Sequence, residues 1–278
     1  MTTRLSRSGI PGLEPGAAIR CEPVPDHEDW RFVGQTLNSG PMPAIIYFSL
    51  TAEQSLELDP YNQFVTFLNA GEQSKFRVFS VTLPFHTSDM KECETAFSKW
   101  ANIYNSGGDL VSGFVRKVSS ALNSFIGDGY ISPNKIFVAG LSRGALLAAH
   151  IAVSNPNIQA CLGFSPVTVL HDLNEFSDAE IHSERARLKI RRASLHNDTV
   201  ISGLMRIPVR FYMGNSDTRV GTRNAFEAVH LVAERAAEEG VRSPPHEFVM
   251  YCSVGKNGHG TPPDVFRAGA EYILSLID

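Results

Sequence analysis

The feature that most constrains this chain is an alternation along its length. Short runs rich in β-branched and aromatic residues are each followed by a longer stretch with apolar residues at helical spacing. Strands are expected at 18–22, 31–37, 44–50, 77–83, 135–141, 160–164, 209–214 and 247–254. Helices are expected at about 61–71, 89–104, 109–126, 143–154, 222–239 and 263–277. Several strands are nearly unbroken apolar runs, such as Ala44-Ile45-Ile46-Tyr47-Phe48 and Ile136-Phe137-Val138-Ala139. Helices covering both faces of a parallel sheet require that composition. The first two strands alternate more, as near a sheet edge. Such βα repetition predicts a parallel sheet with right-handed crossovers. In the last helix Val265, Gly269, Tyr272, Ile273 and Leu276 share one face. Residues 165–208 carry amphipathic helical stretches and end at Ile207-Pro208, where proline stops a helix. That insert reads as a small helical lid.

The 278 residues fit one α/β domain over 18–278, with 1–17 as an N-terminal extension. Apolar residues at 43% and charged residues at 19% exclude a disordered chain. A net charge of −4 argues against a nucleic-acid partner, whose footprint is a basic excess. Cys21, Cys93, Cys161 and Cys252 show neither a CxxC pair nor zinc spacing, so reduced thiols and no metal site are expected. No signal-peptide pattern opens the chain and no apolar run reaches the length of a membrane span, so the cytoplasm is the expected location. The pattern sets no oligomeric state.

Chemistry enters after the strand at 135–141, where Gly140-Leu141-Ser142-Arg143-Gly144 precedes the Ala/Leu-rich run Ala145–Ile151. The spacing G-x-S-x-G arises by chance in about one chain in ten of this length. Its place between a strand and a helix is what makes it specific. A sharp strand-to-helix turn exposes the serine Oγ, and a Cβ at either glycine would collide with the neighbouring backbone. The serine also meets a helix N-terminus, where free N–H groups favour developing negative charge. A plain serine cap between two packing glycines is the alternative.

Serine needs a base, and the base needs an orienting acid. After the strand at 209–214 comes Asn215-Ser216-Asp217-Thr218, which puts a carboxylate on the rim where function collects in open α/β sheets. Asp217 is otherwise a turn residue. Asp198 competes for the role and reads better as a helix cap. The strand at 247–254 runs into Gly258-His259-Gly260, a mobile setting suited to a proton shuttle. His86 also follows a strand, but it precedes the serine in the chain and is expected to line the pocket beside Leu141.

Ser142, Asp217 and His259, in that order and at those strand ends, resemble the α/β-hydrolase superfamily. The resemblance spans about residues 18–277. It is strengthened by 140–145, by Ser165-Pro166-Val167-Thr168-Val169-Leu170 and by Gly258-His259-Gly260. These stretches look like the branch related to dienelactone hydrolases and prolyl oligopeptidases, which holds many small bacterial esterases. The resemblance implies a mostly parallel eight-stranded sheet with its second strand antiparallel and helices on both faces. It also implies an oxyanion hole. Many relatives carry His-Gly after the third strand, whereas Ser49-Leu50-Thr51-Ala52 has no glycine. The donors expected here are the backbone N–H of Arg143 and that of Thr51, or of Leu50 if the register slips by one.

The resulting expectation is a serine hydrolase that cleaves small carboxylic esters through an acyl-enzyme, without metal or organic cofactor. A prolyl-oligopeptidase-like peptidase is the alternative, although it normally carries a large guarding domain for which only about 17 residues before the first strand leave no room. A non-catalytic binding protein retaining the fold is the other alternative. The Arg143 side chain is expected at the surface, where most arginines sit, unless it faces an acidic substrate. Five positive charges within 185–192 read as a solvated helix face, or as a device that steers anions.

Overall fold

The computed structural model describes residues 20–71, 73–242 and 245–277. The extension at 1–17 and the first two residues of the strand expected at 18–22 lie outside them. The strands are β1 (Glu22–Val24), β2 (His27–Gly34), β3 (Met42–Phe48), β4 (Arg77–Val81), β5 (Ile131–Leu141), β6 (Ile158–Phe164), β7 (Val209–Gly214) and β8 (His246–Tyr251). They form one eight-stranded sheet in the order β1-β2-β4-β3-β5-β6-β7-β8. β2 runs antiparallel to β1 and β4, and every later pairing is parallel. The mostly parallel α/β sheet expected from the sequence is present.

The helices are α1 (Ala52–Glu57), α2 (Gln63–Leu68), α3 (Met90–Glu94), α4 (Ala96–Asn105), α5 (Leu110–Gly127), α6 (Arg143–Ser154), α7 (Glu184–Ala193), α8 (Asp198–Leu204), α9 (Thr222–Glu238) and α10 (Pro263–Ile277). They cover both faces. Ala44, Ile46 and Phe48 point into a core shared with α4, α5, α6, α8 and α9. Ile45 and Tyr47 point the other way, into a core shared with α1, α2 and α10. This two-sided burial explains why β3 needed an unbroken apolar run. Each large side chain so buried contributes about 1.5–3 kcal/mol. None of the described helices is long and apolar enough to cross a membrane.

The edges depart from expectation. β1 begins at Glu22 and β2 at His27, because Asp26 at φ 59 turns the chain sooner than the apolar pattern suggested. The polar half of β2, His27-Glu28-Asp29, sits at the sheet margin, and burial begins at Trp30. The helix expected at 89–104 is broken at Thr95, whose Oγ1 donates back to the Glu92 carbonyl at 2.8 Å. The helix expected at 61–71 stops at Leu68, followed by Asn69 in the left-handed region, and α1 was not expected at all.

Candidate active site

Ser142 is the single residue between β5 and α6, and it sits at φ 55, ψ −114. Such a backbone conformation costs about 1–3 kcal/mol and persists only where the surroundings impose it. Here two glycines impose it. A Cβ on Gly140 would lie 2.2 Å from the Gly144 carbonyl carbon, and one on Gly144 would lie 2.0 Å from the Phe48 oxygen. The Ser142 N–H donates to the Phe164 carbonyl at 2.9 Å, and its own carbonyl accepts from Ala145 at 3.1 Å and Val167 at 3.2 Å. The N–H groups of Arg143 and Gly144 open α6, where no intrahelical acceptor exists and the helix dipole is positive.

Asp217 follows β7 with its side chain fully buried. One carboxylate oxygen accepts the N–H groups of Arg219 (2.9 Å) and Val220 (3.1 Å). The other accepts from His259 Nδ1 at 2.7 Å. That bond leaves Nε2 to face Ser142 Oγ, 2.9 Å away, as an acceptor. Residues 42 and 117 positions apart are thus joined in one hydrogen-bonded line. Asp198 plays no part in it. The α8 cap is Asn197, and Asp198 is exposed against Arg235.

The loop carrying His259 is fastened below. Gly258 lies so close to the β7 exit that a Cβ would stand 2.3 Å from the Ser216 oxygen. At the end of β8, the Tyr251 hydroxyl donates to the Gly260 carbonyl (3.0 Å) and hydrogen-bonds Ser165 Oγ (2.7 Å). Ser165 Oγ also meets Thr261 Oγ1 at 3.0 Å. Sequence reasoning did not single out Tyr251 or Thr261, since a hydroxyl near a strand end carries no distinctive spacing.

The segment after β3 holds its shape without glycine. Thr51 caps α1 in a capping box with Gln54, its Oγ1 accepting the Gln54 N–H at 3.1 Å. The Leu50 N–H donates to Ser55 Oγ at 2.9 Å, and Ser55 Oγ donates to the Thr51 carbonyl at 2.7 Å. The Leu50 amide is therefore spent inside the loop. The Thr51 amide is engaged only at 3.5 Å, by Gln54 Oε1. The legible signal was Thr51-Ala52-Glu53-Gln54, a helix start that predicts α1.

A cavity of about 410 Å³ opens over Ser142 and His259, walled in part by Leu50, Tyr61, Cys93 and Leu141. Leu141 lines this cavity, whereas His86 and Thr51 are not among the lining residues. His86 is buried instead, its Nδ1 3.2 Å from the Pro84 carbonyl. Burial, with the Arg143 charge adding to it, pushes its pKa down to about 4. Arg143 is the second correction, for its side chain is half-buried and stacks on Phe97 at 4.9 Å. No residue of 165–208 lines this cavity. A larger hollow of about 660 Å³ lies among α5, α6, α7 and α8 and contains none of the three hydrogen-bonded residues. Two of its polar side chains are taken up internally, Lys189 on the Gly107 and Gly108 carbonyls and His150 on that of Ala193, while Ser119 Oγ is buried without a partner among the described residues.

No protein-family model matches the chain, and no curated protein matches its sequence. Solved structures do resemble it in shape. The 2,6-dihydroxy-pseudo-oxynicotine hydrolase matches with a TM-score of 0.59 at 17% identity, over 95% of this chain and 69% of that one. TT1662 from Thermus thermophilus matches with a TM-score of 0.64 at 12% identity, over 94% and 98%. The chain has the α/β-hydrolase fold. A putative dipeptidyl aminopeptidase IV from Bacteroides ovatus gives a TM-score of 0.62 at 12% identity, over 88% of this chain and 32% of that one. At these identities the likeness concerns the fold. Within an α/β-hydrolase fold, the exits of β5, β7 and β8 lie together at one end of the parallel strands, where Ser142, Asp217 and His259 meet.

Proposed function

We propose that this protein is a serine hydrolase acting on carboxylic esters through an acyl-enzyme. The observation that carries the reading is the line Asp217–His259–Ser142, with 2.7 and 2.9 Å links, ending on a serine held in a strained turn. His259 Nε2 takes the proton as Ser142 Oγ attacks the ester carbonyl, and Asp217 fixes the imidazole tautomer and stabilises its cationic form. The oxyanion forms against the Arg143 amide, with the Thr51 amide as second donor once it releases Gln54 and turns into the cavity that Ser49 and Leu50 line. The alcohol leaves with the proton from His259. Water then repeats the sequence and frees the acid.

The test combines a fluorophosphonate label with a panel of p-nitrophenyl acyl esters and aminoacyl anilides. Wild type should label and turn over esters, and Ser142→Ala should lose labelling together with about 10⁴-fold or more of its activity. Faster turnover of anilides would move the reading to a peptidase, the class to which the Bacteroides ovatus protein is assigned by name. Folded protein that neither labels nor turns over any substrate would leave a non-catalytic binding protein.

A further inference from the structure

The arginines that lie against the protein interior have their guanidinium groups satisfied unequally. Arg77 is fully buried and donates to the carbonyls of Gln35 (2.8 Å), Gly40 (3.0 Å), Tyr130 (2.6 Å) and Thr36. Arg219 is held by both carboxylate oxygens of Glu175, at 2.6 and 3.3 Å. Arg143 has a single acceptor among the described residues, the Cys93 carbonyl, 3.1 Å from Nη1. It forms no ion pair among them.

Position makes this shortfall informative. Arg143 and Cys93 line the same cavity as Ser142 and His259. The remaining Arg143 nitrogens have no hydrogen-bond partner among the described residues and are not sealed from solvent. Glu94, the one carboxylate in the cavity wall among the described residues, is exposed and beyond ion-pair distance of Arg143. Phe97 carries two cations, Arg143 at 4.9 Å and Arg219 at 5.4 Å, while Glu175 pairs with the second and acts on the first only from beyond ion-pair distance. Burial draws the Arg143 pKa down to about 10, the Arg219 charge adding to it, and Cys93 and Glu175 nearby only partly oppose the fall. The group still carries its proton at neutral pH. One positive charge beside the nucleophile is left over.

We propose that the ester cleaved here bears a carboxylate, and that the Arg143 side chain binds it while the Arg143 backbone N–H faces the oxyanion. The inference rests on the hydrolase reading and narrows its substrate class. A planar guanidinium with open donors takes a carboxylate through two parallel N–H···O bonds. A single negative charge matches the single unbalanced positive one, whereas a dianion would exceed it.

Mono-4-nitrophenyl adipate and 4-nitrophenyl hexanoate have acyl chains of equal length, so their kcat/KM ratio isolates the carboxylate. An apolar pocket favours the hexanoate. Here the adipate ester should be favoured about tenfold or more, and Arg143→Met should lower the ratio about tenfold or more while Arg143→Lys retains part of it. The ratio cancels any change common to both substrates. Should Arg143→Met fail to fold, the wild type carries the test: the monoamide of adipate, a monoanion, should slow fluorophosphonate labelling of Ser142, unlike the uncharged diamide. A wild-type ratio at or below one, a ratio unchanged in folded Arg143→Met, or equal protection by the monoamide and the diamide would overturn the proposal with the hydrolase reading intact. Absence of labelling and of turnover for both esters would bring down the hydrolase reading and this proposal with it.

Discussion

The two loops beside the cavity leave adjacent strands, β5 and β3, and are built in opposite ways. The turn after β5 is shaped by missing atoms, since neither Gly140 nor Gly144 has room for a Cβ. The segment after β3 is shaped by added ones: the hydroxyls of Thr51 and Ser55 and the amide of Gln54 hold it where a glycine turn is absent. The first arrangement has one chemical solution, so it leaves a readable mark. The second has many equivalents, so it leaves almost none. The two loops are nevertheless in contact, because Gly144 rests on the Phe48 carbonyl at the end of β3.

Breaking that contact should have the largest effect. Gly144→Ala drives a Cβ into backbone that cannot move aside, and thermal or urea unfolding should show a loss of about 4 kcal/mol or more. The next effect comes from acid. The folded protein resists protonating buried His86, whose pKa lies near 4, while the unfolded chain takes the proton near the ordinary 6.5. His86 should therefore contribute a fall in stability of about 3 kcal/mol as pH drops from about 6.5 to 4, and His86→Leu should remove that share of the slope. Trp100 Nε1 donates to the same Pro84 carbonyl at 3.3 Å, so that acceptor should keep a partner when the His86 ring is removed.

Ser55→Ala attacks the loop built from hydrogen bonds. It strands the buried Leu50 N–H and should cost about 1–3 kcal/mol, measured by urea unfolding. Under the proposed chemistry kcat should fall as well, about tenfold, because the Thr51 amide loses its support. Thr51→Ala removes the α1 cap at about 1 kcal/mol, the smallest change of the series. If Ser55→Ala and Thr51→Ala left ester turnover at the wild-type level, the segment after β3 would have no part in the oxyanion site.

The same contrast governs what could be read in advance. β3, β5, β6 and β7 are legible because burial on both faces demands continuous apolar residues. β1, three residues long at the sheet edge, and α1, six residues long with Leu56 as its one large buried residue, have too little periodicity to register. Ser142, Asp217 and His259 are legible as candidates because each follows a strand in a turn rich in glycine or small polar residues. The burial of Arg143 is not, since it depends on Cys93 and Phe97, which reach it only through the packing of α3 and α4. His86 misled for the same reason. A strand exit is visible in the sequence, but the side of the wall on which its side chain lands is not.

β8 is the outermost strand, hydrogen-bonded to the sheet along one edge only, and its side chains alternate between exposed and half-buried. Its last residue, Tyr251, fastens the loop that carries His259. Hydrogen exchange should therefore be faster along 246–251 than in β5, which is paired on both sides. Trp30 and Trp100 report on the deep core. As urea rises, turnover should fail before their fluorescence changes: the protein would lose its base to fraying at the margin while most of the sheet still stands.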